Sequence, residues 1–523
     1  MPTLQQKFET TPDFLIGVEL VTTRGLRNEK RAAKTQSFAR DLEGCAGVDW
    51  VSITDNAGGN PMLSPFALGG PLRAAGRNVV IHLACKDYNR NALESQAWFL
   101  GSEGLNNILA LTGDYTGTGV GGGSKPVFDI DSIGLLMLLA QMNTGLDVSK
   151  SPATGPQVRL QPTQFFPGAV VNNFKLFENE LIPQLMKLEK KIAAGARFIV
   201  NQIGYDARKI QELAAWMRQR GHGQVPLVGN TYVLTGSAAR VFHGRRIPGV
   251  VISDELAAIC ERQAGGADKG KAFFLELAAK QVAIYRGLGY RGAYLGGVHT
   301  VADVEAILGI ERRFGSDDWR QFAREMRFSR PGEFFMYADD EGTGLSDPAR
   351  LHPDYEASLR ARTATRNVTF NYRIAKFTHR AMFTPGKGLW NAGVKLCGRS
   401  SDPKKVPALL RVAEHVGKQL MFDCRDCGDC SLPDIAYLCP ESQCEKNQRN
   451  GPCGGTNDGR CEHKEEKECI WARAYDRLKH EGREEQLLAH VPVVQDQQLR
   501  GTSSWANTWL GRDHFSKKTK PVP

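Results

Sequence analysis

From Phe14 to about residue 300 the chain alternates two kinds of apolar pattern. Short runs rich in β-branched and aromatic residues come first: FLIGVEL (14–20), VDWVSIT (48–54), NVVIHLA (78–84), NILALT (107–112), QVRLQPTQFF (157–166), RFIVNQI (197–203), QVPLVGNTYVL (224–234) and GAYLGG (292–297). These read as strands. Between them lie stretches such as DARKIQELAAWMRQRG (206–221) and KAFFLELAAKQVAIYRGLG (271–289), with apolar residues recurring at three and four positions and Gly at the end. That period predicts helices with glycine C-caps. Eight strand runs alternating with helices predict an α/β fold, a (β/α)8 TIM barrel over residues 1–310; an open doubly wound sheet is the alternative.

In a barrel of this kind, chemistry sits where the strands end and the loops begin. The strand ends carry Glu19, Thr54 with Asp55 and Asn56, His82, Thr112-Gly113-Asp114, and Gln202. Taken singly, each has a plain explanation: Glu19 as a surface carboxylate, His82 as a satisfied core histidine, Gln202 as a strand cap. Together on one rim they predict a site. The fourth loop holds Gly117-Thr-Gly-Val-Gly-Gly122, which matches G-x-G-x-x-G. A dinucleotide fingerprint would run straight into a helix. Helical periodicity here begins only near Asp131, so the stretch reads as a glycine-rich loop.

Beyond the barrel, residues 311–385 read as a connector with strand-like FFMYA and a helical piece from Tyr355 to Phe383. Residues 386–495 read as a cysteine-rich, metal-binding α+β domain, and 496–523 as a tail that docks through Trp505 and Trp509. Eight of the twelve cysteines fall between Cys424 and Cys469. They open as C-x2-C-x2-C (Cys424, Cys427, Cys430), and Cys439 is followed by Pro440. Such spacing wraps three corners of a [4Fe-4S] cluster, and Cys-Pro is a common fourth corner. Cys444, Cys453, Cys461 and Cys469 remain for a second site. Four-cysteine zinc sites are the alternative; a disulfide framework suits small secreted domains, not a chain of this length. The stretch 470–491 reads as one amphipathic helix beside the metal sites.

Composition narrows the setting. The 523 residues are 41% hydrophobic and 24% charged, ordinary for a globular protein. No apolar run approaches the ~18–20 residues of a membrane span, and the first residues show no basic-then-apolar signal pattern. A cytoplasmic location and a homo-oligomer are expected, with no membrane partner. The net charge of +10 comes from basic residues spread along the chain, densest at Lys517–Lys520, without an aromatic stripe. No nucleic-acid partner is expected; an anionic small molecule accounts for the charge equally well.

The strand ends also resemble the methylenetetrahydrofolate reductase family, in family order across residues 14–300. GVEL with Glu19 is similar to the family's FEF acid, VSITDNAGG with Thr54 to VTYGA, and IHLAC with His82 to PHLTC. NILALTGD with Asp114 is similar to ILALRGD, NQIGYD with Gln202 to TQxFFD, and KKIAAGA with Lys191 to K-V-x-A-G-A. NGPCGG and Cys469-Ile-Trp471 resemble the iron–sulfur partner subunit of anaerobic-type reductases, here fused behind the barrel. The resemblance implies an oxidoreductase acting on CH-NH groups, interconverting 5,10-methylenetetrahydrofolate and 5-methyltetrahydrofolate. It implies a flavin, FAD or FMN, held by Thr54, His82, Thr112, Gly113, Asp114 and Lys191. It also implies Glu19 as general acid, Asp114 as a catalytic residue that also binds the pterin, and Gln202 as a folate ligand. Thr112 stands where the family has Arg, and GAVVNNF (168–174) replaces its Tyr-Pro-Glu-x-His segment, which removes contacts to the flavin's extended arm. Electrons are expected from an external redox protein, relayed by clusters, or from NAD(P)H. A methyltetrahydrofolate-oxidising enzyme or a folate-dependent methyltransferase, with structural zinc, is the rival reading.

Overall fold

The computed structural model describes residues 2–149, 157–361, 365–398, 402 and 405–516; the basic run Lys517–Lys520 lies outside them. Eight parallel strands close a barrel: β1 (Leu15–Leu20), β2 (Trp50–Ile53), β3 (Asn78–Ala84), β4 (Asn107–Leu111), β5 (Phe166–Val171), β6 (Phe198–Asn201), β7 (Leu227–Tyr232) and β8 (Gly292–Gly296). Each strand pairs with its sequence neighbours, and β1 closes on β8 with Leu15 opposite Gly292. Helices fill the connections, among them α1 (Glu178–Ala193), α2 (Ala207–Gln219) and α3 (Lys271–Gly287). The last two end as the sequence predicts, with Gly221 and Gly289 in left-handed backbone just past the helix.

The barrel interior is packed, not hollow. Leu15, Trp50, Val80, Leu109, Phe166, Phe198 and Val228 meet inside it. The N-terminal helix Leu4–Thr10 plugs one end by burying Leu4 and Phe8, and Phe8 stacks on Phe198 with ring centroids 5.8 Å apart. Glycine is needed where large rings cross the sheet. A Cβ on Gly17 would lie 2.0 Å from the Trp50 ring, and one on Gly168 would lie 2.3 Å from that of Phe198.

Several elements differ from the sequence expectation. The fifth strand is Phe166–Val171, later than the QVRLQPTQFF run. Of that run, Gln157–Arg159 forms one side of an exposed hairpin with Asp147–Ser149, and only its last residue, Phe166, joins the barrel strand. Pro162 interrupts the run, whereas FPGAVV is buried almost throughout. The glycine-rich loop forms a small hairpin, Thr118–Gly119 with Gly122–Gly123, and the next helix starts at Ser132 with Asp131 as its cap. The connector strand is Tyr337–Asp340, paired with Leu345–Leu351. The helical piece after it is split into Pro353–Arg360 and α4 (Phe370–Met382), the latter capped by Thr369. The stretch 470–491 forms two helices, α7 (Ile470–His480) and Gln486–Ala489, because Gly482 turns the chain through left-handed backbone.

Helices α5 (Gly388–Cys397), α6 (Ala408–Phe422) and α7 frame the cysteine-rich region; among the described residues of 386–495 the short helices Pro440–Gln443 and Gln486–Ala489 add to them, and the extended pairing is confined to isolated bridges, so the expected α+β domain is helical. The tail contributes α8 (Ser504–Trp509). As expected, the tail docks: Trp509 is buried, stacks on Phe383 at 5.4 Å and donates its indole N–H to the Met382 carbonyl. Helix α7 packs against α1 as well as beside the cysteines, with the Tyr475 hydroxyl donating to Glu178 and Asn179 donating to Asp476. Helix α1 is therefore covered on both sides, which explains why Glu180, Gln184, Lys187, Lys190 and Lys191 are buried on a helix of sixteen residues.

Candidate functional site: a barrel mouth capped by the cysteine-rich domain

Glu19, Thr54, His82, Thr112, Gly113, Asp114, Lys191 and Gln202 all line one pocket at the C-terminal ends of the strands. Glu19 points inward from β1 and accepts a hydrogen bond from the Tyr294 hydroxyl at 3.0 Å. Burial raises its pKa, opposed by hydrogen bonds from Tyr294 and the Gly297 backbone, so the neutral acid is favoured. Asp114 follows β4 and accepts from the Gly58 N–H at 3.1 Å. Burial raises its pKa too, while Lys446 pulls the other way. His82 is 3.0 Å from the Ser52 hydroxyl through Nε2, and burial lowers it to about 4, so it is a neutral imidazole at physiological pH. Thr112 reaches only Ser132, at 3.5 Å.

Lys191 enters from α1 and donates to the Val170 carbonyl. Burial, with Lys187 beside it, lowers this lysine to about 7. Gln202 follows β6, and its side-chain oxygen accepts from the Ile203 N–H at 2.9 Å, leaving its amide group toward the pocket. Asn56 holds left-handed backbone (φ 44°), pinned by its own bonds to Asp87 and from the Met62 N–H.

Sequence reasoning missed the groups that the cysteine-rich domain adds to this pocket. Lys446, Cys453, Gly454, Gly455 and Glu462 line it from above. Lys446 is buried, pairs with Glu462 and donates to the Gly113 carbonyl at 2.8 Å. The segment 448–456 is clamped onto the rim. Asn172 and Lys175, after β5, donate to the Gly454 carbonyl, Lys187 donates to Gln448 and Gly451, and Asn450 donates to Asp131. Tyr115 and His463 stack with centroids 3.5 Å apart. The pocket also holds Asp55, pushed up to about 6 by burial, and Tyr294. No local motif marks these contacts, because they join residues some three hundred positions apart.

The pocket suits a polar ligand such as a flavin or a pterin. Thr54 Oγ1, Gln184 Nε2 and Glu462 Oε2 are buried in its lining with no hydrogen-bond partner among the described residues. An unmet buried polar atom costs about 1–3 kcal/mol, so a ligand that meets these atoms gains from each. Lys446 provides a cationic donor toward an anionic arm, and Lys191, lowered to about 7, is a donor that an anion beside it would charge. The loop after β5, where an extended flavin arm would seek contacts, is occupied by the 448–456 segment.

The eight thiols lie in two neighbourhoods. Cys424, Cys427, Cys430 and Cys439 line one enclosed cavity. Cys444, Cys453, Cys461 and Cys469 are mutual electrostatic neighbours, and Cys453 reaches the barrel pocket. All twelve cysteines are free thiols. Among the described residues no three Cys, His, Asp or Glu side chains are drawn in around a single point for a metal. The thiols are neighbours without ligating geometry, but an all-sulfur donor set around a closed cavity fits an iron–sulfur cluster or zinc. Among the described residues no helix is long and apolar enough to cross a membrane.

Residues 30–261 match the family model described as methylenetetrahydrofolate reductase, and residues 405–498 match the one described as methylene-tetrahydrofolate reductase C terminal. No curated protein matches the chain. Among solved structures, an uncharacterized Clostridium thermocellum protein that binds two copies of 5-methyl-5,6,7,8-tetrahydrofolic acid is 12% identical. That match covers 59% of this chain and 97% of the other, with a TM-score of 0.41. A Yersinia pestis DHPS with a pterine-sulfa conjugate is 12% identical over 58% and 94%, with a TM-score of 0.31. A 2,3-dimethylmalate lyase is 11% identical over 58% and 82%, with a TM-score of 0.33. Likeness at these scores carries no argument about the site. On the two family models the chain belongs to the methylenetetrahydrofolate reductase family, its barrel followed by the family's C-terminal domain.

Proposed function

We propose that this protein is a flavin-dependent oxidoreductase interconverting 5,10-methylenetetrahydrofolate and 5-methyltetrahydrofolate, with its C-terminal thiols holding iron–sulfur clusters. The observation that carries the reading is the convergence of Glu19, Thr54, His82, Asp114, Lys191 and Gln202 on one pocket, together with a carboxyl whose pKa burial raises. When bound, the flavin supplies hydride exchange and the clusters supply single electrons.

The chain's own residues do the rest. Glu19 holds a proton at its carboxyl, oriented by Tyr294, and donates it to the folate nitrogen whose bond to the bridging carbon breaks. Asp114 accepts from pterin N–H groups, and Gln202 donates its free amide to the pterin. Thr54 Oγ1, the Lys446 ammonium and the Lys191 amino group would hold the flavin's polar side. Neutral His82 packs beside the ring site without adding charge. The 448–456 segment closes the rim against water, and its position at the β5 loop favours the shorter FMN over FAD.

Anaerobic purification with metal analysis and a visible spectrum is the first test. Bound flavin with about four or eight irons per chain supports the reading. Zinc without flavin sinks it and turns attention to methyl transfer. Glu19→Gln is expected to keep the flavin and lower kcat by about 10²–10⁴-fold; full turnover in that variant would remove Glu19 as the acid.

A further inference from the structure

Helices α4, α5 and α6 expose an apolar surface that the fold does not cover. They carry nine of the twenty exposed large apolar side chains among the described residues. Phe370 and Phe377 on α4 are each 75% exposed. On α6, Leu409, Val412, Val416 and Leu420 form a stripe at helical spacing, and the exposed residues of that helix include no Lys, Arg, Asp or Glu. The rim is basic. Among the described residues of these helices and their connections, Arg373, Arg380, Lys387 and Lys395 are exposed, whereas Arg366 pairs with Glu468 and Lys376 with Glu481; this local concentration revises the expectation of evenly spread charge. Arg373, Arg380 and Lys395 are exposed and form no ion pair with described residues. An apolar centre inside a charged rim is the anatomy of a protein–protein interface.

The same helices α4 and α6, with α8, line an apolar pocket whose wall includes Tyr437, Trp505 and Cys430. Cys430 also lines the four-thiol cavity behind. One thiol group thus meets the barrel pocket at Cys453, and the other meets this face at Cys430.

We propose that this face docks a small acidic electron-carrier protein, an inference that rests on the redox reading of the C-terminal thiols. Two dockings oxidise two one-electron carriers for each methylenetetrahydrofolate, which gains two electrons and two protons to become methyltetrahydrofolate. A second copy of the chain is a poor occupant, because two-fold pairing sets the same basic patch against itself.

The test is binding, measured by calorimetry on the full-length protein with a plant-type [2Fe–2S] ferredoxin and a flavodoxin as acidic probes. Binding that weakens with added salt, and by at least about tenfold in Arg373→Glu/Arg380→Glu/Lys395→Glu, supports the proposal. Leu409→Ser/Leu420→Ser is expected to weaken it too, with unchanged near-ultraviolet circular dichroism in both variants. No binding of either probe, or binding that ignores both variants, overturns it. So does tighter binding to phosphatidylglycerol vesicles than to the carriers, or a dimer abolished by the serine variant. Iron content, read on the same samples, separates failure of the docking face from failure of the redox reading.

Discussion

The barrel and the cysteine-rich domain bury their polar groups by opposite means. The barrel satisfies its backbone with a closed ladder of strands and fills its interior with apolar side chains, so its polar residues gather at one rim. Between Asp423 and Asp458 the chain has little regular structure and holds six of the ten non-glycine residues with left-handed backbone among the described residues. Charged side chains do the work of a ladder there. Arg449 is 4% exposed and spans the Asp429 carbonyl, the Ser431 hydroxyl and the Glu441 carboxylate. His514, from the tail, lies between Asp429 and Asp434. A ladder forms from any backbone with the right apolar pattern, whereas a buried charge network holds only if every member is present.

The contrast is broken most completely by removing metal. Chelation under anaerobic conditions is expected to abolish the folding transition of the cysteine-rich domain while the barrel still unfolds cooperatively. Near-ultraviolet circular dichroism reads this through Trp471, Trp505 and Trp509; one shared transition before and after chelation would show that the thiols hold nothing. Next is Arg449→Met, which leaves the Asp429 carbonyl and Ser431 without their buried donor and Glu441 with Arg500 alone, and is expected to cost about 3 kcal/mol in denaturant unfolding of that domain. Gly168→Val tests the barrel's own rule by driving a side chain into the Phe198 ring, and a loss of about 1–3 kcal/mol is expected.

The smallest effect concerns Asp55, whose pKa is pushed up to about 6 by burial, from 3.8. Between those values the folded protein binds more protons than the unfolded chain. The stability this group contributes is present at low pH and is lost as pH rises through about 6. Asp55→Asn is expected to flatten that part of the stability–pH curve; an unchanged slope would assign it to other groups.

Much of the barrel was legible because strand and helix periods are local. Seven of the eight strands lie within their apolar runs, and the glycine-rich loop showed itself by lacking a helix behind it. The fifth strand was misread because QVRLQPTQFF has the composition of a strand but not its burial, a property settled by neighbours. The rim residues were found by their places at strand ends. Lys446 and Glu462 were not, since their role depends on where a distant loop comes to rest. The exposed stripe on α6 was hidden for a similar reason: Leu409 and Leu420 look like core until no partner covers them.

The sequence by itself determined the alternation of elements, the barrel and the gathering of polar residues at its rim, because each is written in spacings of a few residues. Only the tertiary structure decided that the cysteine-rich domain closes the barrel mouth, brings Cys453 to the pocket and turns α1 into a helix buried on both sides. Those outcomes come from side chains meeting backbone carbonyls across nearly three hundred residues, as Lys175 meets Gly454, and no periodicity along a chain encodes such a meeting.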